Sequence, residues 1–514
     1  MQSERPAVPR PAVGWRTVLL VLLPTSLYCQ PPGTPESQQQ QLSFQLQAAN
    51  AFLRTFSDHH LFSGTVAYVK ANNLTFNAGF VAADAAAANA IAYTDTFPLG
   101  TGSLSYVSVA AYQLRDATIL DIDQPVTNYL DPADFGYASQ WCPDVYGQPH
   151  AGTPTGQPSS ENMTGMVGCT IPSVRDILGM TAGIIDVTGC NYTAGAWQMQ
   201  HCASSQPDFA SLVQDAAQGN ITVAELVSTF LWEAPLQAAP GEGFSFSPAG
   251  YWLVVYIVEK LTGSTMAQYL QSSIFQTANL TSTSSGTPFS PGPGNLSDAA
   301  VALPGFISTF TSNITVAPAH LPQGTYANTT QLPPTDSETL LVAGLGSIWA
   351  TAADHIAWYQ TLLSNPAALN LSQPTVIEIL TPSPLAVVAD NYHFAQGVGV
   401  VPKAASSLYV DALAFTGRFS GIKTSLYAQV NGSSSPPMLD ILAIFTNTEP
   451  NFVGFGSPDV TEECAVAYSD GRGNMQVPCR IGYEGGKVTN AIQQTLLAGL
   501  EMTDDPTAIL YSEL

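Results

Sequence analysis

Phe97-Pro98-Leu99-Gly100-Thr101-Gly102-Ser103-Leu104-Ser105-Tyr106 ends an apolar run in a glycine-spaced turn and sets a serine where a helix begins. Residues 107–114 (VSVAAYQL) follow, apolar or small on most faces, and predict a buried helix. A hydroxyl on a first helical turn gains from the unpaired amides and the positive end of the helix dipole. Two readings of Ser103 stand open. It is a nucleophile placed where an oxyanion can be stabilised, or it is a plain N-cap accepting from the amides of the first turn.

Further blocks widen the reading. Leu120-Asp121-Ile122-Asp123-Gln124-Pro125-Val126-Thr127-Asn128-Tyr129-Leu130 follows the helix. Val174-Arg175-Asp176-Ile177-Leu178-Gly179-Met180-Thr181-Ala182-Gly183 and Pro240-Gly241-Glu242-Gly243-Phe244-Ser245-Phe246-Ser247-Pro248-Ala249-Gly250-Tyr251 come next. Residues 344–358 and Phe415-Thr416-Gly417 with Gly421 complete the set. In this order the blocks resemble the serine β-lactamase and penicillin-binding-protein family, above all its class C and esterase-like branch. That family places a serine, two residues and a lysine at a helix start. Its later motifs read "L-D-x-x-x-P-V-x-x-Y-L", "V-R-x-L-L-x-H-x-S-G", "P-G-x-x-F-x-Y-S-N-x-G-Y", "G-x-x-S-T-A-x-D-x-A-x-F" and "H/K-T-G-x-x-x-G". The likeness covers residues 62–445, with gaps at insertions.

The resemblance implies an α/β (α+β) fold of the β-lactamase/transpeptidase-like kind. An antiparallel sheet built from both termini is flanked by helices, with a mostly helical region inserted between. It also implies roles, residue by residue. Ser103 keeps the nucleophile position. Tyr106 replaces the lysine, Phe246 replaces the tyrosine and Pro248 its asparagine partner. Phe415 replaces the histidine or lysine of the third motif, and Met180 the histidine of the structural block. Thr416 and Gly417 keep their places as binding residues. The resemblance draws oxyanion-hole amides from Ser103 and Arg418. The Arg418 side chain is read either as a carboxylate holder or as half of a surface salt bridge.

These replacements bear on chemistry. General-base assistance is worth about 10²–10⁴-fold, and a serine without it is a weak nucleophile. Oxyanion stabilisation and binding alone leave about 10³–10⁴-fold over water. A free phenol titrates near about pH 10, so Tyr106 needs a neighbouring cation to act as a base. The resemblance places none of Lys70, Lys260, Lys403, Lys423 and Lys487 for that task. The expected protein is a catalytically impaired pseudoenzyme that binds an unknown ligand or protein partner at the former cleft. The alternatives are a serine hydrolase (esterase, peptidase or β-lactamase-like) acting through Ser103, and a structural or coat glycoprotein.

Composition sets the compartment. The chain has 514 residues, 45% hydrophobic and only 10% charged, with a net charge of −24. Such an acidic surface repels nucleic acid and anionic membranes, and neither partner is expected. Arg5, Arg10 and Arg16 precede the apolar run Thr17-Val18-Leu19-Leu20-Val21-Leu22-Leu23, too short to span a bilayer comfortably. Residues 1–29 read as a signal peptide, cleaved on export or else retained as an anchor. Six cysteines then remain: Cys142, Cys169, Cys190, Cys202, Cys464 and Cys479. An even number suits an oxidising compartment, and pairing of neighbours gives Cys142–Cys169, Cys190–Cys202 and Cys464–Cys479. Cysteine spacing fits no zinc site, the seven histidines are scattered, and no metal or cofactor is expected. Ten N-x-S/T sequons, at Asn73, Asn162, Asn191, Asn220, Asn279, Asn295, Asn313, Asn328, Asn370 and Asn431, point to a secreted glycoprotein.

Pattern along the chain sets expected boundaries. Residues 30–41, rich in Pro and Gln, read as a linker. Residues 42–502 form the β-lactamase-related domain, with a sheet subdomain over 42–100 and 395–502. The helical subdomain covers 101–394 and carries a Ser/Thr/Pro/Gly-rich surface insertion at 281–334; 503–514 is a tail. Helices are expected at 42–56, 174–180, 208–217, 223–231, 249–261, 266–275, 351–363 and 491–500. A hairpin is expected at 64–76, a loop excursion at 132–170, and strands at 397–401, 413–417, 424–428 and 439–445.

Overall fold

The computed structural model describes residues 35–58, 62–80, 91–131, 171–184, 222–232, 236, 238–285, 306–309, 325–328, 348–389, 392–403, 408–419, 422–432, 434–446, 448–451, 466–469, 475–478, 496–497 and 500. Helix α1 (Pro35–Asp58) opens them. It begins inside the segment read as a linker, because Pro suits a first helical turn and Glu and Gln are good helix formers. Strands β1 (Gly64–Lys70) and β2 (Asn73–Phe80) form the expected hairpin. Its turn residues Ala71 and Asn72 have φ of 48° and 68°. Strand β3 (Phe97–Pro98) and a 3-10 turn (Gly100–Ser103) lead into α2 (Leu104–Asp116).

The middle of the chain is helical. It holds α3 (Val174–Leu178), α4 (Val223–Leu226), α5 (Tyr251–Thr262) and α6 (Met266–Leu270). Helices α4 and α6 each run on into a π-helical turn, at Val227–Trp232 and Gln271–Phe275. Short strands β4 (Thr283–Ser285), β5 (Phe306–Thr309), β6 (Thr325–Asn328) and β7 (Ile348–Ala350) precede α7 (Ala352–Ser364) and α8 (Gln373–Leu380). The end of the chain is β: β8 (Val387–Ala389), β9 (Tyr392–Phe394), β10 (Gly399–Pro402), β11 (Val410–Phe419), β12 (Ile422–Asn431), β13 (Met438–Thr446) and β14 (Thr448–Asn451).

The main sheet has eight strands in the order β2-β1-β13-β12-β11-β10-β9-β8, antiparallel throughout. The first strands thus lie beside the last through the β1–β13 pairing, which runs from Gly64↔Thr446 to Val69↔Ile441. Lys70 Nζ to Asp440 at 2.7 Å, with the Ala71 N–H on the other carboxylate oxygen at 2.7 Å, fixes that register at one end. The alternation of a strand splits β13 between two cores. Leu442 and Ile444 join Phe52 and Leu53 of α1 with Leu496, Leu497 and Leu500. Ile441, Ala443 and Phe445 join the helical side.

On that side α2 and α5 are buried along most of their length. Arg175 of α3 meets Asp123 at 2.5 Å and Glu378 of α8 at 2.5 Å, and Arg115 of α2 meets the same Glu378. This ionic web ties α3 to the segment after α2 and to α8. The segment from 281, read as a surface insertion, instead starts inside the fold. Strand β4 is buried in a second sheet ordered β3-β7-β4. The carboxylate of Asp354 on α7 accepts from the Ser282 N–H at 2.7 Å and the Thr283 hydroxyl at 2.9 Å. Burial raises the Asp354 carboxyl above its usual range. The leader, all seven cysteines, residues 132–170 and 208–217, and Asn162, Asn191, Asn220, Asn295 and Asn313 lie outside the described residues. Asn73, Asn279 and Asn370 are exposed.

A Cβ added at Gly417 would stand 1.9 Å from the Leu99 carbonyl oxygen, backbone that has no room to move. At Gly243 nothing lies within 4 Å. Gly417→Ala is therefore expected to cost about 3 kcal/mol and Gly243→Ala under about 0.5 kcal/mol, read from urea denaturation midpoints. Equal midpoints for the two variants would contradict the close approach of β11 to Leu99.

Candidate active-site cleft

The turn that starts α2 is held from two sides. On one side β3 pairs with β7 through Phe97↔Ala350 and Pro98↔Trp349, and the Leu99 N–H donates to the Ile348 carbonyl at 2.8 Å. Gly100 then takes φ of 54°, in the left-handed region that favours glycine, and the chain turns into the helix. On the other side lies the edge of β11. Its pairing with β10 ends at Gly399↔Ala414, so the stretch from Phe415 onward is left to meet the turn. The Thr101 hydroxyl donates to the Thr416 carbonyl at 3.1 Å, and the Thr424 hydroxyl donates to the Leu99 carbonyl at 3.3 Å.

Ser103 is the last residue of the 3-10 turn. Its backbone is already helical (φ −66°, ψ −21°), it makes no capping hydrogen bond, and it is only 3% exposed. The plain N-cap reading is thereby corrected: Gly100 begins the turn three residues earlier than the sequence pattern suggested. Among the described residues no group hydrogen-bonds the Ser103 hydroxyl.

Tyr106 goes to the interior. It is fully buried, stacked on Trp358 at 4.2 Å with ring planes 13° apart, and set edge-on to Phe275. Its hydroxyl shares a 3.2 Å hydrogen bond with His355 Nδ1. Trp358 Nε1–H donates to the Ser105 hydroxyl at 3.1 Å, which closes the cluster. Burial pushes the Tyr106 phenol well above the ordinary tyrosine range, with Tyr359 and the Asp354 carboxylate adding to the shift. A phenolate here would be desolvated, and the Asp354 carboxylate nearby would repel it. His355 cannot supply that cation, because burial lowers its pKa from 6.5 to about 3 and leaves it neutral.

The other replaced positions are apolar. Phe246 is half-buried and meets Phe394 edge-on at 5.8 Å, while Phe244 tilts against the same ring at 6.0 Å. Pro248 opens the 3-10 turn Pro248–Gly250 that leads into α5, and it offers no side-chain amide. The Ser247 N–H donates to Met180 Sδ at 3.2 Å, so the methionine at the structural histidine position still holds this loop. Phe415 is 7% exposed and lies over Gly102, where an added Cβ would come within 3.2 Å of its ring. Thr416, Gly417 and Arg418 follow along β11, with Arg418 opposite Lys423. Sequence reasoning passed over His355 and Trp358. They sit three apart on α7, and that spacing beside apolar neighbours was the available signal of a shared buried face. Among the described residues no cluster of His, Cys, Asp and Glu suits a metal ion, and no helix is long and apolar enough to cross a membrane.

Comparison with known proteins agrees with this fold. The family model described as Beta-lactamase matches residues 48–400. The chain belongs to the beta-lactamase family, and its fold is the β-lactamase/transpeptidase-like one, an antiparallel sheet with helices. Penicillin-binding protein 4* of Bacillus subtilis (strain 168) is 22% identical over 229 residues, which span 45% of this chain and 39% of that protein. The penicillin-binding protein from Bacillus halodurans superposes with a TM-score of 0.52 at 18% identity, over 77% of this chain and 95% of that one. EstCE1, a hydrolase with promiscuous acyltransferase activity, gives 0.53 at 15% identity, over 80% and 95%.

The buried neutral His355 has a measurable signature. Below about pH 6.5 the unfolded chain takes up a proton that the folded chain refuses until about pH 3. Stability therefore falls with acid across that window, by at most about 1.4 kcal/mol per pH unit from this group. His355→Gln, neutral throughout, is expected to flatten that part of the profile in urea denaturations at stepped pH. An unchanged acid limb in the variant would show that the imidazole is not buried neutral.

Proposed function

We propose that this chain is a secreted, N-glycosylated and disulfide-bonded member of its family that binds a ligand or partner at the former active-site cleft and has lost efficient acyl transfer. The observation that carries the reading is the state of Tyr106. The residue in the lysine place is buried, hydrogen-bonded to a neutral histidine and resistant to ionisation. Phe246 and Phe415 at the other two motif positions have no proton to take or give. What survives is the backbone: the turn before α2 and the edge of β11 at Thr416, Gly417 and Arg418. The two-part domain division and the pairing of the six cysteines belong to this proposal.

The alternative is a serine hydrolase (esterase, peptidase or β-lactamase-like) with Ser103 as acyl nucleophile. The preserved turn favours it, and so does the hydrolase and acyltransferase character in the name of EstCE1.

Incubation of the purified protein with a fluorophosphonate and with a fluorescent penicillin separates the two. The proposal expects no stoichiometric label over hours. Rapid one-to-one labelling that vanishes in Ser103→Ala would overturn it in favour of the hydrolase.

A further inference from the structure

Several hydroxyls stand near the start of α2, and the sequence motif singles out only one. Side chains three apart line up along a 3-10 turn, and those three, four and seven apart share a face of an α-helix. The Leu104 N–H donates to the Thr101 carbonyl, so Thr101 and Leu104 stand one above the other. Ser108 continues that face, and its hydroxyl meets Tyr251 Oη at 3.2 Å. Gly397 packs on the same face, so closely that an added Cβ would lie 2.8 Å from the Leu104 carbonyl and 2.5 Å from the Ser108 hydroxyl. Tyr251 follows the Phe246–Pro248 motif directly, and Gly397 stands just before β10. The Thr101 face is therefore the one turned to the motif segments that wall the cleft.

Ser103 and Tyr106, also three apart, share a different face. Tyr106 shows where it points: to Phe275, His355 and Trp358, all interior. Exposure agrees, since Ser103 is 3% exposed while Thr101 is partly open to solvent. The hydrogen bonds agree as well. Thr101 reaches the third-motif strand at Thr416, whereas no described group meets the Ser103 hydroxyl.

We infer that the hydroxyl this cleft offers to a ligand is that of Thr101, and that Ser103 is a packing residue on the far face of the same turn. The inference rests on the reading of this cleft as the ligand site, and it deepens that reading. Three residues after Thr101 stands Leu104, fully buried and unable to exchange a proton. Whichever hydroxyl is taken as the first member of the motif, the fourth member is not a base.

Thr101→Cys and Ser103→Cys, each in the otherwise unchanged full chain, test the assignment by their rates of carbamidomethylation with iodoacetamide under non-reducing conditions. Thiol reactivity follows access, so Thr101→Cys is expected to react at least about tenfold faster than Ser103→Cys, with the unsubstituted protein as background. Ser103→Cys reacting as fast or faster overturns the assignment. A lysine pair guards against a cysteine variant that fails to fold. Thr101→Lys is expected to keep the parent melting temperature within a few degrees, and Ser103→Lys to fail to accumulate as folded protein. The reverse pattern overturns the assignment. Neither readout depends on turnover, so loss of this assignment and loss of the binding reading give different results.

Discussion

The carbonyl oxygen of Leu99 is the point at which this molecule closes. It accepts from the Gly102 N–H at 2.9 Å and from the Thr424 hydroxyl at 3.3 Å, and Gly417 passes so near that no side chain fits between. One buried acceptor thus joins the turn before α2 to two strands of the main sheet. The requirement behind it is general, because a buried carbonyl left without donors costs free energy comparable to a lost hydrogen bond. Satisfying Leu99 brings the helix start against the edge of β11. That contact is set by backbone and by the Thr424 hydroxyl, independent of the side chains at the motif positions.

This separation of frame from lining lets the family fold form whatever side chains occupy the motif positions. The frame needs glycines at close approaches, a turn at Gly100, and strands β11–β13 in register. All are backbone demands, and all are met. The lining needs a base, a proton relay and a cation. On the proposed reading, Tyr106, Phe246 and Phe415 supply none of these. They supply packing instead: Tyr106 on Trp358, Phe246 on Phe394, and Phe415 over Gly102. Tyr106 and Phe415 are held by burial, and Phe246 is half-buried. A charge introduced there would carry its full desolvation cost.

Much of this was legible in the residues. Glycine- and serine-rich turns between β-branched runs gave β10 to β13 and the first hairpin near their observed places. The helix expected at 351–363 is α7, and Thr351 caps it by accepting the Asp354 N–H at 3.1 Å. What escaped is what depends on packing. The α2 sequence is apolar or small on most faces, so its pattern cannot say which face carries Tyr106 inward. The three-residue strand β4 has no period to read, and it forms because Asp354 and β7 receive it. Ser103 looked like a cap because serine often caps, but the left-handed Gly100 had already started the turn.

The central claim is that no group in the cleft takes a proton from the hydroxyl at the start of α2. Steady-state hydrolysis of an activated ester by the purified protein tests it most directly. The account predicts a rate linear in substrate, without saturation, and unchanged when Tyr106 becomes Phe. Saturable turnover that collapses in the Tyr106→Phe protein would contradict it.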